Sequence, residues 1–182
     1  MPKIDADFKE KLESISKKDL EKVIIKFASR NDEFYNYLLI NYTDPESGEE
    51  DLFENAKADL SDLFNKSFRG YAVQLRLANM IKACSKRIGE FTKVCKKKKL
   101  EADLLMLVLK EIFTNYEKYL GTCFTPFDSQ VGRLVKRMVT LLNSKLHPDY
   151  VIVYKENINS YLLVLHRVSN HINFIFDLPE SV

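Results

Sequence analysis

Seven apolar or thiol side chains between Val73 and Cys95 recur at intervals of three and four residues: Val73, Leu77, Met80, Cys84, Ile88, Phe91 and Cys95. Side chains at that spacing share one face of an α-helix, whereas a strand would need alternation. Comparable series run along most of the chain, so helices must supply its core. Turn-forming residues are scarce as well, with five Gly and five Pro among 182 residues. An all-β chain needs a turn every ~8–12 residues and more of both types. Period and punctuation together predict an all-α fold.

Ser16…Asp19, Ser47…Glu50 and Thr125…Asp128 have capping-box spacing, the last with Pro126 at the favoured first helical position. The first introduces Leu20, Val23, Ile24 and Phe27, before Arg30-Asn31-Asp32 turns the chain. Phe34 to Tyr42 then forms a short helix whose apolar residues cover most of its circumference. It should pack on two sides, either within the domain or at a subunit contact. After a loop over Thr43–Glu50, a helix is expected from about Asp51 to Phe68, with Leu52, Phe53, Ala56, Leu60, Leu63 and Phe64 inward. The Arg69-Gly70 break leads into the long helix, Tyr71 to Lys96. Gly89 within it costs about 1 kcal/mol against Ala and could mark a kink.

Leu100 to Leu120 is apolar on every side between Leu104 and Leu109, as a central helix would be, and Gly121 suits its C-terminal cap. Pro126 to Leu146 is amphipathic: Val131, Leu134, Val135, Met138, Leu141, Leu142 and Leu146 face in, and Arg133, Lys136 and Arg137 face out. In the last segment YVIVY, YLLVL and INFIF have strand propensity. Tyr150, Tyr154, Ile158, Tyr161, Leu165, Val168 and Ile172 nevertheless keep helical spacing, which favours a helix over a hairpin. The expectation is a single helical domain over residues 1–182, with about seven helices in antiparallel pairs. Uneven spacing of the helix midpoints argues for an irregular, HEAT-like α–α superhelix or an orthogonal bundle over a regular array.

The opening MPKIDADFKEK lacks the basic-then-apolar pattern of a signal peptide. The longest apolar run, Leu104–Leu109, is far short of the ~18–20 residues of a membrane span. A soluble, cytoplasmic protein without a membrane partner is expected. Cys84 and Cys95 lie on one helix face, roughly 16 Å apart along the axis, too far for a disulfide or a shared metal. Cys123 falls in a connector, and all three read as core or incidental thiols.

The charge is unevenly placed. Residues 69–99 hold ten Lys/Arg and one acid, Glu90, whereas residues 1–68 net −6 and residues 100–182 net −1, within a chain of +2. On a helical wheel Lys82, Lys86, Lys93 and Lys97 fall within about 60° of each other, opposite the apolar face. With Arg69 and Arg76 they form a possible polyanion-binding surface spanning about 22 Å, enough to follow several phosphates of a nucleic-acid backbone. The plain alternative is a solvated face, with Lys96 to Lys99 favourable to a helix C-terminus. Phe34, Tyr37 and Tyr42 are the candidate protein contact, and a homodimer through them is one option. The first helix, near Phe8, Leu12 and Ile15, folding back over them is the other.

No catalytic, metal or cofactor motif emerges. His166 and His171 are five residues apart and do not share a helix face, and Glu49-Glu50-Asp51 is most simply solvated. No cofactor is therefore expected. ISKKDLEKVIIKF, FRGYAVQLRLANMI and LEADLLMLVLKEIF resemble a bacterial family of small all-helical proteins defined only as a domain of unknown function. That resemblance implies the all-helical fold and no activity. His147-Pro148-Asp149, after a helix bearing Arg133, Lys136, Arg137 and Lys145, resembles the His-Pro-Asp loop of J-domain chaperone partners. The stretch from Gly121 to His147 is a few residues longer than in that family, and its Ala-Tyr-Arg signature is missing. Pro148 opening the last helix, with Asp149 at its positive end, is the preferred reading. The function expected is a non-enzymatic helical scaffold that binds another macromolecule, first a protein and, alternatively, nucleic acid. An enzyme without sequence-local motifs is the remaining option.

Overall fold

The structure is a computed structural model that describes residues 4–65, 72–123 and 125–182, the side chain of Glu46 excepted. The fold is all-α: among the described residues there are nine α-helices and no strand. The nine exceed the expected seven for two reasons. Residues before Ser16 form a helix of their own, and a four-residue helix follows the long C-terminal one. The chain forms two compact units, Met1–Gly48 and Glu49–Val182.

The N-terminal unit contains α1 (Ala6–Glu13), α2 (Lys17–Ala28), α3 (Asp32–Leu38) and a π-helical turn, Leu39–Thr43. Each helix starts on a side-chain cap. Asp5 Oδ1 accepts from Phe8 N at 2.8 Å, Ser16 Oγ from Asp19 N at 3.2 Å and Asn31 Oδ1 from Phe34 N at 2.9 Å. Ser16 is thus the expected cap, although Asp19 turns its carboxylate to the Ser16 hydroxyl at 2.7 Å and to Lys22 at 3.0 Å. Those two hydrogen bonds hold the Asp19 carboxyl below its ordinary range. Packing is thin here: α1, α2 and α3 contain no buried residue.

α4 (Pro45–Phe64) begins about six residues before the expected Asp51, so the Thr43–Glu50 loop is mostly helix. Asp44 replaces the Ser47 cap, its Oδ1 accepting from Ser47 N at 3.3 Å. Pro45 explains the shift, because its fixed φ and missing N–H suit a first helical position. The expected helix end at Phe68, the Arg69-Gly70 break and Tyr71 lie outside the described residues.

The C-terminal unit contains the core. It comprises α5 (Val73–Val94), α6 (Lys98–Glu111), α7 (Pro126–Ser144), α8 (Pro148–Val168) and α9 (Asn173–Phe176), with most of α4. α7 packs on α5, α6, α8 and α9, so it shares the central place expected of α6. Leu77, Met80, Cys84, Ile88, Phe91 and Cys95 are buried, as their period predicts, and the helix runs uninterrupted through Gly89. Leu104, Leu105, Val108 and Leu109 of α6 are buried, while Met106 and Leu107 are half-buried. The last segment is helical through Val168, without a hairpin. Pro148 occupies the first turn of α8 and His147 is its N-cap, which is the plain reading of His-Pro-Asp.

α6 ends early, at Glu111, and a π-helical turn, Ile112–Tyr116, and a 3-10 turn, Glu117–Tyr119, carry the chain to Gly121. Gly121 has φ 73°, and a Cβ there would stand 2.5 Å from the Val168 carbonyl oxygen. The expected Thr125 cap does not form: Thr125 makes no capping hydrogen bond. Asp128, fully buried, turns inward instead and accepts from Gly121 N at 2.7 Å and Ser169 Oγ at 2.5 Å. Buried carboxylates demand such donors, and these outweigh an end-of-helix contact that water can replace. Gly132 lets α9 close on α7, since a Cβ there would lie 2.8 Å from Ile175 Cδ1.

Candidate functional site

The basic stripe is only partly one surface. Arg69 lies outside the described residues. Arg76, Lys82, Lys86 and Lys93 are exposed on α5. Lys97 is not on that helix, because Cys95 takes extended backbone (φ −89°, ψ 121°) and ends it. Lys97 is the N-cap residue of α6 and pairs with Glu49. A wheel drawn from Lys82 to Lys97 therefore overstates the alignment at its end.

Much of the surrounding charge is already matched within the molecule. Lys86 lies 3.7 Å from Glu90, and Arg87 Nε 2.6 Å from Asp59. Lys96 Nζ donates to the Thr92 and Lys93 carbonyls at 3.1 and 2.6 Å, closing the C-terminal end of α5. This is the role that a cation at a helix C-terminus suits. Lys98 and Lys99 reach Glu101 and Asp103 at 2.8 and 2.7 Å.

Three polar constructions escaped the sequence reading because their members are far apart in the chain. Glu101 is almost fully buried and accepts from Arg137 Nε and Nη2 at 3.0 and 2.7 Å, so Arg137 is tied inward instead of facing out. Burial raises the Glu101 pKa, but the hydrogen bonds from Lys98 and Arg137 outweigh it and hold the carboxyl below its usual range. Asp103 accepts from the Tyr154 hydroxyl at 2.5 Å. Burial, with that hydrogen bond to a carboxylate, raises the Tyr154 phenol. Asp128 with Gly121 and Ser169 is the third. The local hints were an acid on an otherwise apolar face at Asp128 and a Tyr on the buried stripe at Tyr154.

The candidate protein contact belongs to the N-terminal unit. Phe34 is half-buried, with its ring 4.8 Å from that of Phe27 at an edge-to-face angle of 69°. Tyr37 and Tyr42 are exposed, with their rings 6.0 Å apart. The neighbouring Tyr42 phenol raises the Tyr37 pKa. Of this helix and turn, Ile40 is buried. Phe8, Leu12 and Ile15 do not cover it fully, since all three remain exposed themselves. Val23, Ile25 and Tyr42 reach 60, 67 and 70 % exposure.

The thiols of Cys84 and Cys95 are buried and that of Cys123 exposed, all three free. Burial pushes Cys84 up to about 12, which leaves it a protonated core thiol at neutral pH. Among the described residues no group of three or more His, Cys, Asp or Glu is placed to hold a metal ion. No helix of the described residues is long and apolar enough to cross a membrane. No family profile, curated protein or solved structure matches the chain.

Proposed function

We propose that the protein is a non-enzymatic helical interaction protein that binds the apolar surface of another protein through its N-terminal unit. One observation carries this reading. Of seventeen exposed large apolar side chains among the described residues, eleven fall between Ile4 and Tyr42. Chains rarely expose so dense an apolar set unless something covers it. Covering each half-exposed side chain would contribute on the order of 1 kcal/mol. Phosphate backbones offer no such return, so a protein surface is the favoured occupant over nucleic acid. The exposed tyrosines, apolar in body and polar at the tip, suit the rim of such a contact.

Affinity purification of the full chain from its native cell, beside a Val23→Asp/Ile25→Asp/Tyr42→Asp variant, tests the proposal. A stoichiometric protein recovered with the natural chain and lost with the variant supports it. A partner retained by the variant, or a stoichiometric metabolite with no protein, overturns it. Light scattering after size exclusion separates the homodimer: a doubled mass abolished by the same variant makes the partner a second copy. Circular dichroism should show both chains equally helical, because the three substituted side chains are exposed.

A further inference from the structure

Lys97, Lys98, Lys99, Lys145, His147 and Tyr150 line an open cleft of about 560 Å³ in the C-terminal unit. Leu100 and Leu146 complete its walls, and no carboxylate is among them. The volume falls within the ~300–1,000 Å³ typical of small-molecule sites. None of its residues belongs to the N-terminal unit, so the inference stands apart from the protein-binding reading.

The three consecutive lysines are held in place. Glu49 pairs with Lys97, Glu101 with Lys98 and Asp103 with Lys99. The carboxylates are recessed, with side-chain exposures of 18, 7 and 25 % against 64, 37 and 46 % for their lysines. Two of them are anchored in turn, Glu101 by Arg137 of α7 and Asp103 by the Tyr154 hydroxyl of α8. The ammonium groups are therefore positioned; beside the lining, though not part of it, stands Asp149, its Oδ2 3.3 Å from His147 Nδ1. Lys145, exposed at the end of α7, adds a cation that enters no described ion pair.

Backbone adds to this charge. α6 starts at the cleft with Lys97 as its N-cap, and no side chain caps its first turn. Lysine has no acceptor to offer the first-turn N–H groups, and the positive end of the helix dipole reinforces the lysines. Opposite in character is the aromatic side: Tyr150 is exposed, and the His147 ring stands 6.5 Å from it, edge to face at 72°. Clustered cations suit an anion of several charges, and an exposed ring beside them suits a planar one.

We propose that this cleft binds a nucleotide, its phosphates on Lys98, Lys99 and Lys145 and its base against Tyr150. A free nucleotide and a nucleotide unit within a single strand share this chemistry. Calorimetric titration of the full chain at low salt with ATP, pyrophosphate and a short single-stranded oligonucleotide tests it. ATP should bind, and Lys99→Gln/Lys145→Gln should weaken it about tenfold or more, as loss of two charged contacts implies. Tyr150→Ala should weaken ATP several-fold and leave pyrophosphate unchanged. Lys82→Gln/Lys86→Gln, on α5, should change neither. An oligonucleotide that displaces ATP makes a strand the source; one that does not makes the source a free nucleotide. If thermal melting shows that Lys99→Gln disturbs the fold, Lys145→Glu alone carries the test. Absence of binding by both ATP and the oligonucleotide overturns the proposal, as does binding indifferent to the cleft variants or equally lost in the α5 variant.

Discussion

The two units use the same amphipathic grammar and reach opposite ends. α2 places Leu20, Val23, Ile24 and Phe27 at helical spacing, as α5 does Leu77, Met80, Cys84 and Ile88. The α5 set is buried; in the α2 set Leu20 is half-buried and the other three are exposed. In α5 and α6 the apolar faces meet α7, and most of their stripe residues are excluded from water. A stripe is therefore a capacity for burial, realised only against an opposing surface. Capping follows the reverse order. α1, α2 and α3 each start on a side-chain cap, whereas α5, α6 and α7 have none. The long helices α4 and α8 do start on side chains, Asp44 and His147, but α5, α6 and α7 show that a helix with a buried face can dispense with one.

Truncations of matched residues should expose that difference most strongly. Phe91→Ala, at a fully buried position against Phe53, should cost about 4 kcal/mol by denaturant titration. Ile25→Ala, at an exposed position of α2, should stay within about 0.5 kcal/mol. A comparable loss at both sites would show that the N-terminal helices are packed in solution and would break the comparison.

Glu101 sharpens it next. Glu101→Ala leaves Arg137 and Lys98 without their shared carboxylate and should cost about 3 kcal/mol. Its folded pKa lies below the ordinary 4.5, so its stabilisation is complete above that value and fades as pH falls through the depressed one. Urea midpoints of the natural chain should therefore fall below about pH 4.5, and more shallowly in Glu101→Ala.

Asp128→Ala removes the acceptor of Gly121 N and Ser169 Oγ and should cost about 2 kcal/mol. The melting temperature reads this loss, and Ser169→Ala should lower it by less, since the Gly121 contact survives. Ser16→Ala is the smallest effect, about 1 kcal/mol of local helix stability. Hydrogen exchange should quicken in α2 while α5 to α8 keep their protection. Quickening across both units would mean that they unfold together.

Legibility tracked the range of the interactions. The buried stripe of α5, the Ser16 cap and the Pro148 helix start depend on neighbours within a turn or two. Asp44-Pro45 carried the α4 start equally locally, but the Ser47 spacing masked it. The Thr125…Asp128 pattern failed because a tertiary demand overrode a local one: Ser169 lies 41 residues from Asp128. The helical period alone turns Arg137 outward, because nothing near it in the chain marks Glu101, 36 residues away, as buried. Lys97 leaves the wheel of α5 because extended backbone at Cys95 ends a helix that residue types alone would continue.

By itself, the sequence determined an all-helical chain, most of its helix faces and the concentration of basic residues before Lys99. Each follows from the 3.6-residue period and from counting charges, which need no knowledge of what faces what. Only tertiary structure decided which stripes are covered, which carboxylates are buried, and which lysines of residues 97–99 and 145 converge on one cleft. Burial and convergence are properties of pairs of surfaces. The desolvation and Coulomb energies that set them depend on distances between residues far apart in the chain.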